Sequence, residues 1–375
     1  MTNRHGLLLA LALLLPAASA AQPGDDEPPM PTAAEEQAVR WHTVTPAMVE
    51  GKAWTDTKGD FDRFPARAEG VVRRPVWSLS RHSSGLSVRF TSNTTLIRVR
   101  WTVTDERLAM PHMPATGVSG LDLYTRVGPT WYFVQEARPV ESPTNDALVT
   151  AELTADTREF LLYLPLYNGV SRLEVGVSED ASFRFEPPAT TKPVVVYGTS
   201  ITQGGCASRP GMSYTAILGR RLDVPFVNLG FSGNGKAEPE VARLLAELDP
   251  AMFVIDSLPN MTPEEVVVNI PVLIDTIRAT RPSTPIVLIE HLPYPSLRFR
   301  KEKAASVASA NASLRKIHEA RRKAGDRHIT LVPAAGLLGD DGEGTVDDSH
   351  PTDLGFERIA DGLEPHLRRV LGKAQ

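Results

Sequence analysis

The period of the hydrophobic pattern changes once along this chain, and that change most constrains the fold. In the C-terminal half, short uninterrupted apolar runs alternate with segments that carry apolar residues at helical spacing. Such runs are typical of parallel strands covered by helices on both faces. They lie at residues 194–197, 226–229, 252–255, 286–289 and 329–332. We therefore predict a three-layer α/β domain with a parallel five-stranded sheet over residues 188–375.

The helices between these runs carry signals of their own. Val241, Leu244, Leu245 and Leu248 follow one another at the i, i+3, i+4 and i+7 spacing of an apolar helix face. Residues 262–265 read Thr-Pro-Glu-Glu, which combines a capping box with proline in the first turn. This second pattern predicts a helix that begins at residue 263.

The N-terminal half has the shorter period of β-strands. Runs of β-branched, aromatic and leucine residues are separated by turn residues, and apolar and polar positions alternate within them. The clearest runs lie at residues 86–91, 95–104, 131–136, 160–165 and 171–177. We predict an all-β sandwich or jelly-roll domain over residues 41–187, separated from the α/β domain by a proline-containing segment.

The first forty residues predict export. A basic start, an apolar run at residues 7–15 and small residues up to Ala20 are typical of a secretory signal peptide at residues 1–20. Residues 21–40 are rich in Pro, Asp, Glu and Ala and predict a disordered linker. No later stretch is long and apolar enough to cross a membrane. The expected location is the periplasm or the extracellular space.

Composition excludes some partners and constraints. The formal net charge is -5, so no basic excess indicates a nucleic-acid partner. Cys206 is the single cysteine, so no internal disulfide can form. The oligomeric state is left open by the sequence.

A serine stands at the carboxyl end of the first predicted strand, where ligands bind in parallel α/β sheets. Residues 197–205 read Tyr-Gly-Thr-Ser-Ile-Thr-Gln-Gly-Gly, and the glycines let the backbone turn tightly and expose Ser200. A glycine-rich turn can also cradle a phosphate, but this one has neither Gly-x-Gly-x-x-Gly nor the lysine of a P-loop. A helix-capping or turn serine is the plain structural alternative. We predict that Ser200 is a nucleophile.

A serine nucleophile needs a base, preferably a histidine held by a carboxylate. After the fifth predicted strand, residues 347–351 read Asp-Asp-Ser-His-Pro on a polar loop. Asp347 precedes His350 by three residues, so a turn lets its carboxylate accept from Nδ1 while Nε2 faces Ser200. Asp348 is the competing carboxylate, but its proximity in the chain makes it harder to bring round to the ring.

The same Asp-Asp-x-His sequence is compatible with a metal site. Because no second histidine or cysteine lies near it in the chain, its ligand set is incomplete. Neither a metal nor a cofactor is therefore predicted.

Two further strand ends offer hydrogen-bond donors for an oxyanion. Gly233 follows the second strand and lets a backbone N–H group approach a substrate closely. Asn260 follows the third strand, and its side-chain amide can donate. Each residue has a plain alternative, since loop glycines and asparagines before helices are usually local turn residues.

In combination, these segments resemble the SGNH (GDSL-like) hydrolase superfamily. Ser200 matches its nucleophile block, Gly233 its glycine block, Asn260 its asparagine block, and Asp347 with His350 its Asp-x-x-His block. The resemblance implies a serine esterase that needs no cofactor. It also implies an oxyanion hole formed by the backbone N–H groups of Ser200 and Gly233 and the side chain of Asn260.

The sequence departs from the usual family pattern in two places. The usual Gly-Asp-Ser-Leu is Gly-Thr-Ser-Ile at residues 198–201, and the usual Gly-x-Asn-Asp is Leu-Pro-Asn-Met at residues 258–261. Together with Gly-Leu-Asp-Leu-Tyr at residues 120–124, these departures resemble a two-domain subgroup in which a β-sandwich with a Gly-x-Asp-Leu-Tyr motif precedes the hydrolase. Spacing alone favours an ordinary strand for this pentapeptide.

Relatives of this arrangement are bacterial esterases, often associated with deacetylation of carbohydrates. The resemblance therefore implies a small acyl-ester or acetylated-glycan substrate. A lipase-like or lysophospholipase-like esterase, and a catalytically silent carbohydrate-binding protein, are the alternatives.

Three other residues near the predicted site have candidate roles. Arg209 is a candidate substrate contact, although a surface salt bridge is the plainer interpretation. His291 follows the fourth predicted strand and is a candidate for lining the pocket or competing as base. Cys206 is close to Ser200 in the chain, but a single loop cysteine is more often a packed small residue than a nucleophile.

Overall fold

The computed structural model describes residues 38–373. The predicted signal peptide and residues 21–37 of the predicted linker lie outside this range. Val39 and Arg40 were included in the linker prediction, but they belong to the first strand, whose residues pair with a strand of the sandwich from Val39 to Thr43. Among residues 38–373, none of the helices has both the length and the apolar character needed to cross a lipid bilayer.

The N-terminal domain is a sandwich of two antiparallel sheets. The sandwich strands are β1 (Val39–Thr43), β2 (Val49–Glu50), β3 (Ser87–Ser92), β4 (Ile97–Val103), β5 (Leu121–Val127), β6 (Thr130–Ala137), β7 (Thr144–Thr150), β8 (Arg158–Tyr163), β9 (Val170–Ser178) and β10 (Phe183–Phe185). One sheet has the order β1-β9-β4-β7, and the other has the order β10-β3-β8-β5-β6 with β2 beside β3. Two short helices, α1 (Arg74–Ser80) and α2 (Ala115–Val118), lie in its connections.

Alternation along β4 shows how the sandwich core forms. Its burial alternates at every residue: Ile97, Val99 and Trp101 point into the core, while Arg98 and Arg100 point outward. Both arginines form salt bridges with Asp146 on the neighbouring strand β7. The predicted period-two pattern therefore corresponds to one buried and one solvated face.

The C-terminal domain contains a parallel five-stranded sheet of order β12-β11-β13-β14-β15. Its strands are β11 (Val194–Gly198), β12 (Phe226–Gly230), β13 (Met252–Asp256), β14 (Ile286–Ile289) and β15 (Ile329–Val332). Its helices are α3 (Ser200–Gln203), α4 (Tyr214–Leu222), α5 (Pro239–Glu247), α6 (Pro263–Thr280), α7 (Lys301–Lys323) and α8 (Asp353–Leu371). Helices α5, α6 and α7 cover one face, and α4 and α8 cover the other. The predicted fold class is confirmed.

Helix α6 begins as the sequence predicts. The Glu265 backbone N–H donates to Oγ1 of Thr262, and the Glu265 carboxylate accepts from the Thr262 N–H in return. This capping box satisfies two of the N–H groups that every helix start leaves unpaired.

Part of the N-terminal half packs into the α/β domain. Trp54, Phe64 and Val76 are buried in the same cluster as Tyr197 of β11 and Phe231 after β12. These side chains contribute to the core of the parallel sheet rather than to the core between the sandwich sheets. The two halves of the chain are therefore joined by shared apolar packing.

The strand ends that carry the predicted site lie side by side. Gly198 at the end of β11 pairs in register with Gly230 of β12 and with Asp256 of β13. Loops that leave these three strands consequently start from one edge of the sheet.

Candidate active site

Ser200 is the first residue of α3, immediately beyond the carboxyl end of β11. Thr199 caps this helix, its side chain accepting from the Ile201 N–H. A Cβ atom at Gly198 would lie 2.0 Å from Oγ1 of Thr202 and 2.7 Å from the Asp256 carbonyl oxygen. The tight turn into α3 therefore requires glycine at position 198.

The structure brings Ser200, His350 and Asp347 together. Nε2 of His350 lies 2.9 Å from Oγ of Ser200, and Nδ1 lies 2.8 Å from Oδ2 of Asp347. The other carboxylate oxygen of Asp347 accepts from the backbone N–H groups of Ser349 and His350. The carboxylate is thus fixed on both sides, and the imidazole lies between it and the serine hydroxyl.

The two neighbouring aspartates have different partners. Partial burial acts to raise the pKa of Asp347, but hydrogen bonds from the His350 backbone and imidazole outweigh it and hold that pKa below its usual value. Asp348 accepts instead from Ser296 and Lys303, on a different side of the loop. Asp347 is therefore the carboxylate beside His350.

The predicted oxyanion donors lie in loops at the same sheet edge. The N–H of Ser200 is at the first position of α3, where no intrahelical acceptor exists. Gly233 has a φ of 67°, which favours glycine, and a Cβ there would meet no atom within 4 Å. Oδ1 of Asn260 accepts from the Gly235 N–H at 3.1 Å, which leaves its NH2 group available to donate. Their convergence on one oxyanion stays a prediction.

Gln203, the last residue of α3, connects the nucleophile segment to the glycine loop. Its Oε1 accepts from the Ser232 N–H at 3.0 Å, beside Gly233. Its Nε2 donates to the Leu166 carbonyl oxygen at 3.0 Å and lies 3.1 Å from Nδ1 of His82. Leu166 and His82 belong to the N-terminal domain, so that domain helps to hold α3 in place.

The buried carboxylate of Asp256 is hydrogen-bonded to helices α3 and α4. Oδ2 of Asp256 accepts from Oγ1 of Thr202 and from the hydroxyl of Tyr214, each at 2.8 Å. Burial raises the pKa of Asp256 to about 6, although the two hydrogen bonds act in the opposite direction. Sequence reasoning missed this residue, although it directly follows the third predicted strand.

Arg209 forms a salt bridge, the plainer of its two sequence interpretations, but its partner is buried rather than at the surface. Its Nη1 donates to Oδ2 of Asp122 at 2.8 Å and also contacts the hydroxyl of Tyr124. The same carboxylate oxygen accepts from the Gly211 N–H at 2.9 Å. Asp122 and Tyr124 are the polar residues of Gly-Leu-Asp-Leu-Tyr, so this motif binds the loop that follows the nucleophile. The role of Arg209 as a substrate contact stays a prediction, because its guanidinium is engaged within the protein but remains partly exposed.

His291 is buried, and its hydrogen bonds do not reach the nucleophile. Its Nδ1 lies 2.8 Å from the Leu292 carbonyl oxygen, and its ring contacts Tyr294 edge-on at 4.8 Å. Burial lowers the pKa of His291. His350 is therefore the histidine that the structure places against Ser200.

Two residues outside the predicted triad lie beside it. The ring of His112, on a loop of the N-terminal domain, has its centroid 5.6 Å from that of His350. Cys206 is buried, and desolvation together with the charge of Asp347 raises the pKa of its thiol to about 12. A thiol with this pKa is a poor nucleophile at neutral pH.

His112, Cys206, Asp347 and His350 each offer one metal-ligating atom, and these atoms all lie within 4.8 Å of one another. Along the chain, no second histidine or cysteine lies near Asp347 and His350, but in the folded structure His112 and Cys206 do. The prediction of an incomplete ligand set was therefore wrong. The fold supplies both from segments that are distant in sequence.

The chain matches two family models. Residues 191–368 match the GDSL-like lipase/acylhydrolase family, and residues 39–183 match GxDLY, the family described as the N-terminus of esterases of the SGNH-hydrolase type. Among curated proteins, none matches this chain.

Solved structures give a similar result. A protein from Bacteroides ovatus described as a GDSL-like lipase is 34% identical, with a TM-score of 0.85, and the match covers 90% of this chain and 100% of that one. The salicylyl-acyltransferase SsfX3 from a tetracycline biosynthetic pathway is 20% identical, with a TM-score of 0.72 and coverage of 91% and 98%. A family two carbohydrate esterase from Cellvibrio japonicus is 13% identical, with a TM-score of 0.57 and coverage of 89% and 99%. The last two share the fold.

Proposed function

The chain belongs to the GDSL-like lipase/acylhydrolase family and is a carboxylic ester hydrolase, and from this premise we propose that it hydrolyses short-chain acyl esters, chiefly acetyl esters of carbohydrates. Ser200 is the nucleophile, His350 the base and Asp347 the residue that orients it. The observation that carries the proposal is the pair of hydrogen bonds from His350, at 2.9 Å to Ser200 and 2.8 Å to Asp347.

The proposed reaction has two acyl-transfer steps. His350 accepts the Ser200 hydroxyl proton as Oγ attacks the ester carbonyl, and it then donates that proton to the departing alkoxide, leaving an acyl-serine. Water attacks the acyl-serine next, His350 takes a proton from this water, and the serine hydroxyl leaves with the same proton. Asp347 stabilises the imidazolium in both steps without becoming protonated.

Each step develops negative charge on the former carbonyl oxygen. Three donors are proposed to bind it, namely the N–H groups of Ser200 and Gly233 and the NH2 group of Asn260. The hydrogen bond from the Gly235 N–H to Oδ1 of Asn260 supports this role, because it orients the amide with its NH2 group away from Gly235.

One side of the triad is closely packed. Ser200 is 7% exposed. A Cβ added at Gly205 would lie 2.8 Å from the Tyr167 hydroxyl and 3.0 Å from Cδ2 of His350, so this side of the triad lacks room for one methyl group. The Gly233 side is open, because a Cβ there would meet no atom within 4 Å, so a comparison of acyl chain lengths decides how long an acyl group the site accepts.

The carbohydrate part of the proposal is motivated by shared architecture. The family two carbohydrate esterase from Cellvibrio japonicus has the same fold over 89% of this chain. The likeness suggests which esters to test first.

The substrate proposal is tested by comparing acyl chain lengths and acetylated glycans. We expect kcat/KM for acetyl and propionyl aryl esters to exceed that for octanoyl esters by roughly tenfold or more, since the site must exclude the added methylenes. Acetate release from a panel of acetylated oligosaccharides, with Ser200→Ala as the background, identifies the natural class. Equal rates on long acyl chains would favour a lipase-like enzyme, and glycan binding without turnover would favour a silent binding protein.

A further inference from the structure

Four side chains that can ligate a metal meet beside Ser200, and they come from three separate parts of the chain. His112 lies on the loop between β4 and α2, Cys206 lies just after α3, and Asp347 and His350 lie on the loop before α8. One ligand atom from each lies within 4.8 Å of the others. The sandwich domain, the nucleophile segment and the base loop therefore all contribute.

This donor set has a definite preference among metals. Two imidazoles, a thiolate and a carboxylate suit a tetrahedral cation of the zinc type rather than the hard cations calcium and magnesium. In a tetrahedral zinc site, bonds of about 2.0–2.3 Å place neighbouring ligand atoms roughly 3.3–3.7 Å apart. Bringing ligand atoms that lie up to 4.8 Å apart to this spacing therefore needs movements on the order of 1 Å.

Hydrogen bonds of the surrounding backbone hold His112 and Cys206 near each other. His112 lies in a turn closed by two hydrogen bonds between the backbones of Met110 and Met113. The Cys206 N–H donates to Sδ of Met113 at 3.4 Å, which attaches the nucleophile segment to that turn. Within residues 38–373 the exposed His112 imidazole makes no hydrogen bond, so a rotation of its side chain toward a cation breaks none there.

We infer that His112, Cys206, Asp347 and His350 form a binding site for a divalent cation of the zinc class, and that the bound cation switches the esterase off. The second part rests on the proposed function. Both ring nitrogens of His350 are used by the triad, Nε2 toward Ser200 and Nδ1 toward Asp347. Coordination through either nitrogen therefore removes one triad hydrogen bond and with it the base.

Zinc titration of the full chain tests the inhibition. The rate of aryl acetate hydrolysis is measured in chelator-treated buffer and then with increasing ZnCl2. We expect zinc to suppress the wild-type rate and EDTA to restore it. Cys206→Ala, compared with its own metal-free rate, should need roughly tenfold or more additional zinc for the same inhibition. His112→Asn, compared with its own metal-free rate, should be desensitised as well. His328→Asn changes an exposed histidine before β15, at the opposite edge of the sheet, and should retain wild-type sensitivity.

Cobalt binding gives a readout that does not depend on catalysis. Titration of the wild type and of Ser200→Ala with Co²⁺ should produce a thiolate-to-cobalt charge-transfer band, and Cys206→Ala should lack it. A wild type that shows the band but hydrolyses no ester would support the metal site and contradict the proposed function. Absence of the band in the wild type, or equal zinc sensitivity in the wild type and Cys206→Ala, would overturn the inference.

Discussion

Two adjacent aspartates on the loop before α8 point in different directions. Asp347 accepts from His350, whereas Asp348, at a φ of 74°, accepts from Ser296 and Lys303. The left-handed conformation at Asp348 turns the chain so that the two carboxylates face different neighbours. One of them can orient the base, and the other anchors the loop.

Replacing each aspartate by asparagine separates these two roles. We expect Asp347→Asn to lower kcat by about 10²–10⁴-fold, because an amide no longer stabilises the imidazolium or fixes its tautomer. Asp348→Asn is the matched control, and asparagine tolerates a positive φ well. Its kcat should stay within roughly threefold of the wild type. Steady-state kinetics on an aryl acetate measures both, and a larger loss for Asp348→Asn would contradict the assignment of the orienting acid.

At the residue scale, the sequence predicted the site residues that belong to short local motifs. Ser200 follows a strand in a glycine-rich turn, and Asp347 precedes His350 by three residues, so both patterns are visible without a structure. Asp256, His112 and the partner of Arg209 were not predicted, because the residues that they contact are far away in sequence. Nothing around Arg209 in the chain indicates that Asp122 will bind it.

At the element scale, helix α3 depends on a carboxylate that the fold keeps in a buried site. Asp256 ends β13, and its Oδ2 accepts from Thr202 and Tyr214. Together with Asn228 of β12, which donates to the Thr202 carbonyl oxygen at 2.6 Å, it attaches the helix that carries Ser200 to the sheet. Ionising the Asp256 carboxyl group at this buried position is unfavourable, so burial raises its pKa to about 6.

Stability should therefore depend on pH through Asp256. A carboxyl group whose pKa is higher in the folded state contributes stability at low pH and loses that contribution as pH rises through the folded value. We expect the unfolding free energy of the wild type, relative to Asp256→Asn, to fall by up to roughly 3 kcal/mol between about pH 4 and pH 8. Urea unfolding of both proteins across this range measures the difference. A difference that does not change with pH would contradict the raised pKa.

Element prediction succeeded where the hydrophobic period was strong. All five apolar runs of the α/β domain became strands, because each is buried on both faces between helices. Strands β1, β2, β7 and β10 were not predicted. Strands β2 and β10 have two and three residues, and β7 contains Asn145 and Asp146, which have low strand propensity. Their pairing is set by the neighbouring strands rather than by their own sequence.

At the scale of the whole molecule, one buried arginine joins the two halves of the chain. The guanidinium of Arg63 donates to the carbonyl oxygens of Leu79 and His82 in the N-terminal half and to those of Asn228 and Gly230 in β12. Gly230 ends β12, immediately before the loop that carries Gly233. The N-terminal half therefore supports one of the loops at the active-site edge.

Removing Arg63 should destabilise the whole unit. Arg63→Ala leaves two buried and two partly buried carbonyl groups without this donor, and we expect a loss of more than about 3 kcal/mol in unfolding free energy. Arg243→Ala is the control, because Arg243 is exposed and contacts only Glu240 at 3.7 Å among the described charged groups. Its effect should stay within about 0.5 kcal/mol. Urea unfolding followed by circular dichroism measures both, and similar values for the two variants would show that Arg63 does not join the halves.

The sequence predicted two domains but not the packing between them. Trp54, Phe64 and Val76 follow no strand or helix period that would assign them to the α/β core, and only the fold brings them to Tyr197. Hydrophobic period identifies which face of an element is buried, but it does not identify the partner of that face. Contacts between distant segments therefore required the structure.

Active-site labelling tests the proposal that Ser200 is the nucleophile activated by His350. A fluorophosphonate, which reacts with activated serines, should add once to the wild type, and peptide mapping by mass spectrometry should place the adduct on Ser200. Ser200→Ala should take up no label and lose at least about 10³-fold in aryl acetate hydrolysis. Ser283→Ala, at an exposed serine before β14, should behave as the wild type does. An adduct on Cys206, or hydrolysis retained by Ser200→Ala, would contradict the claim.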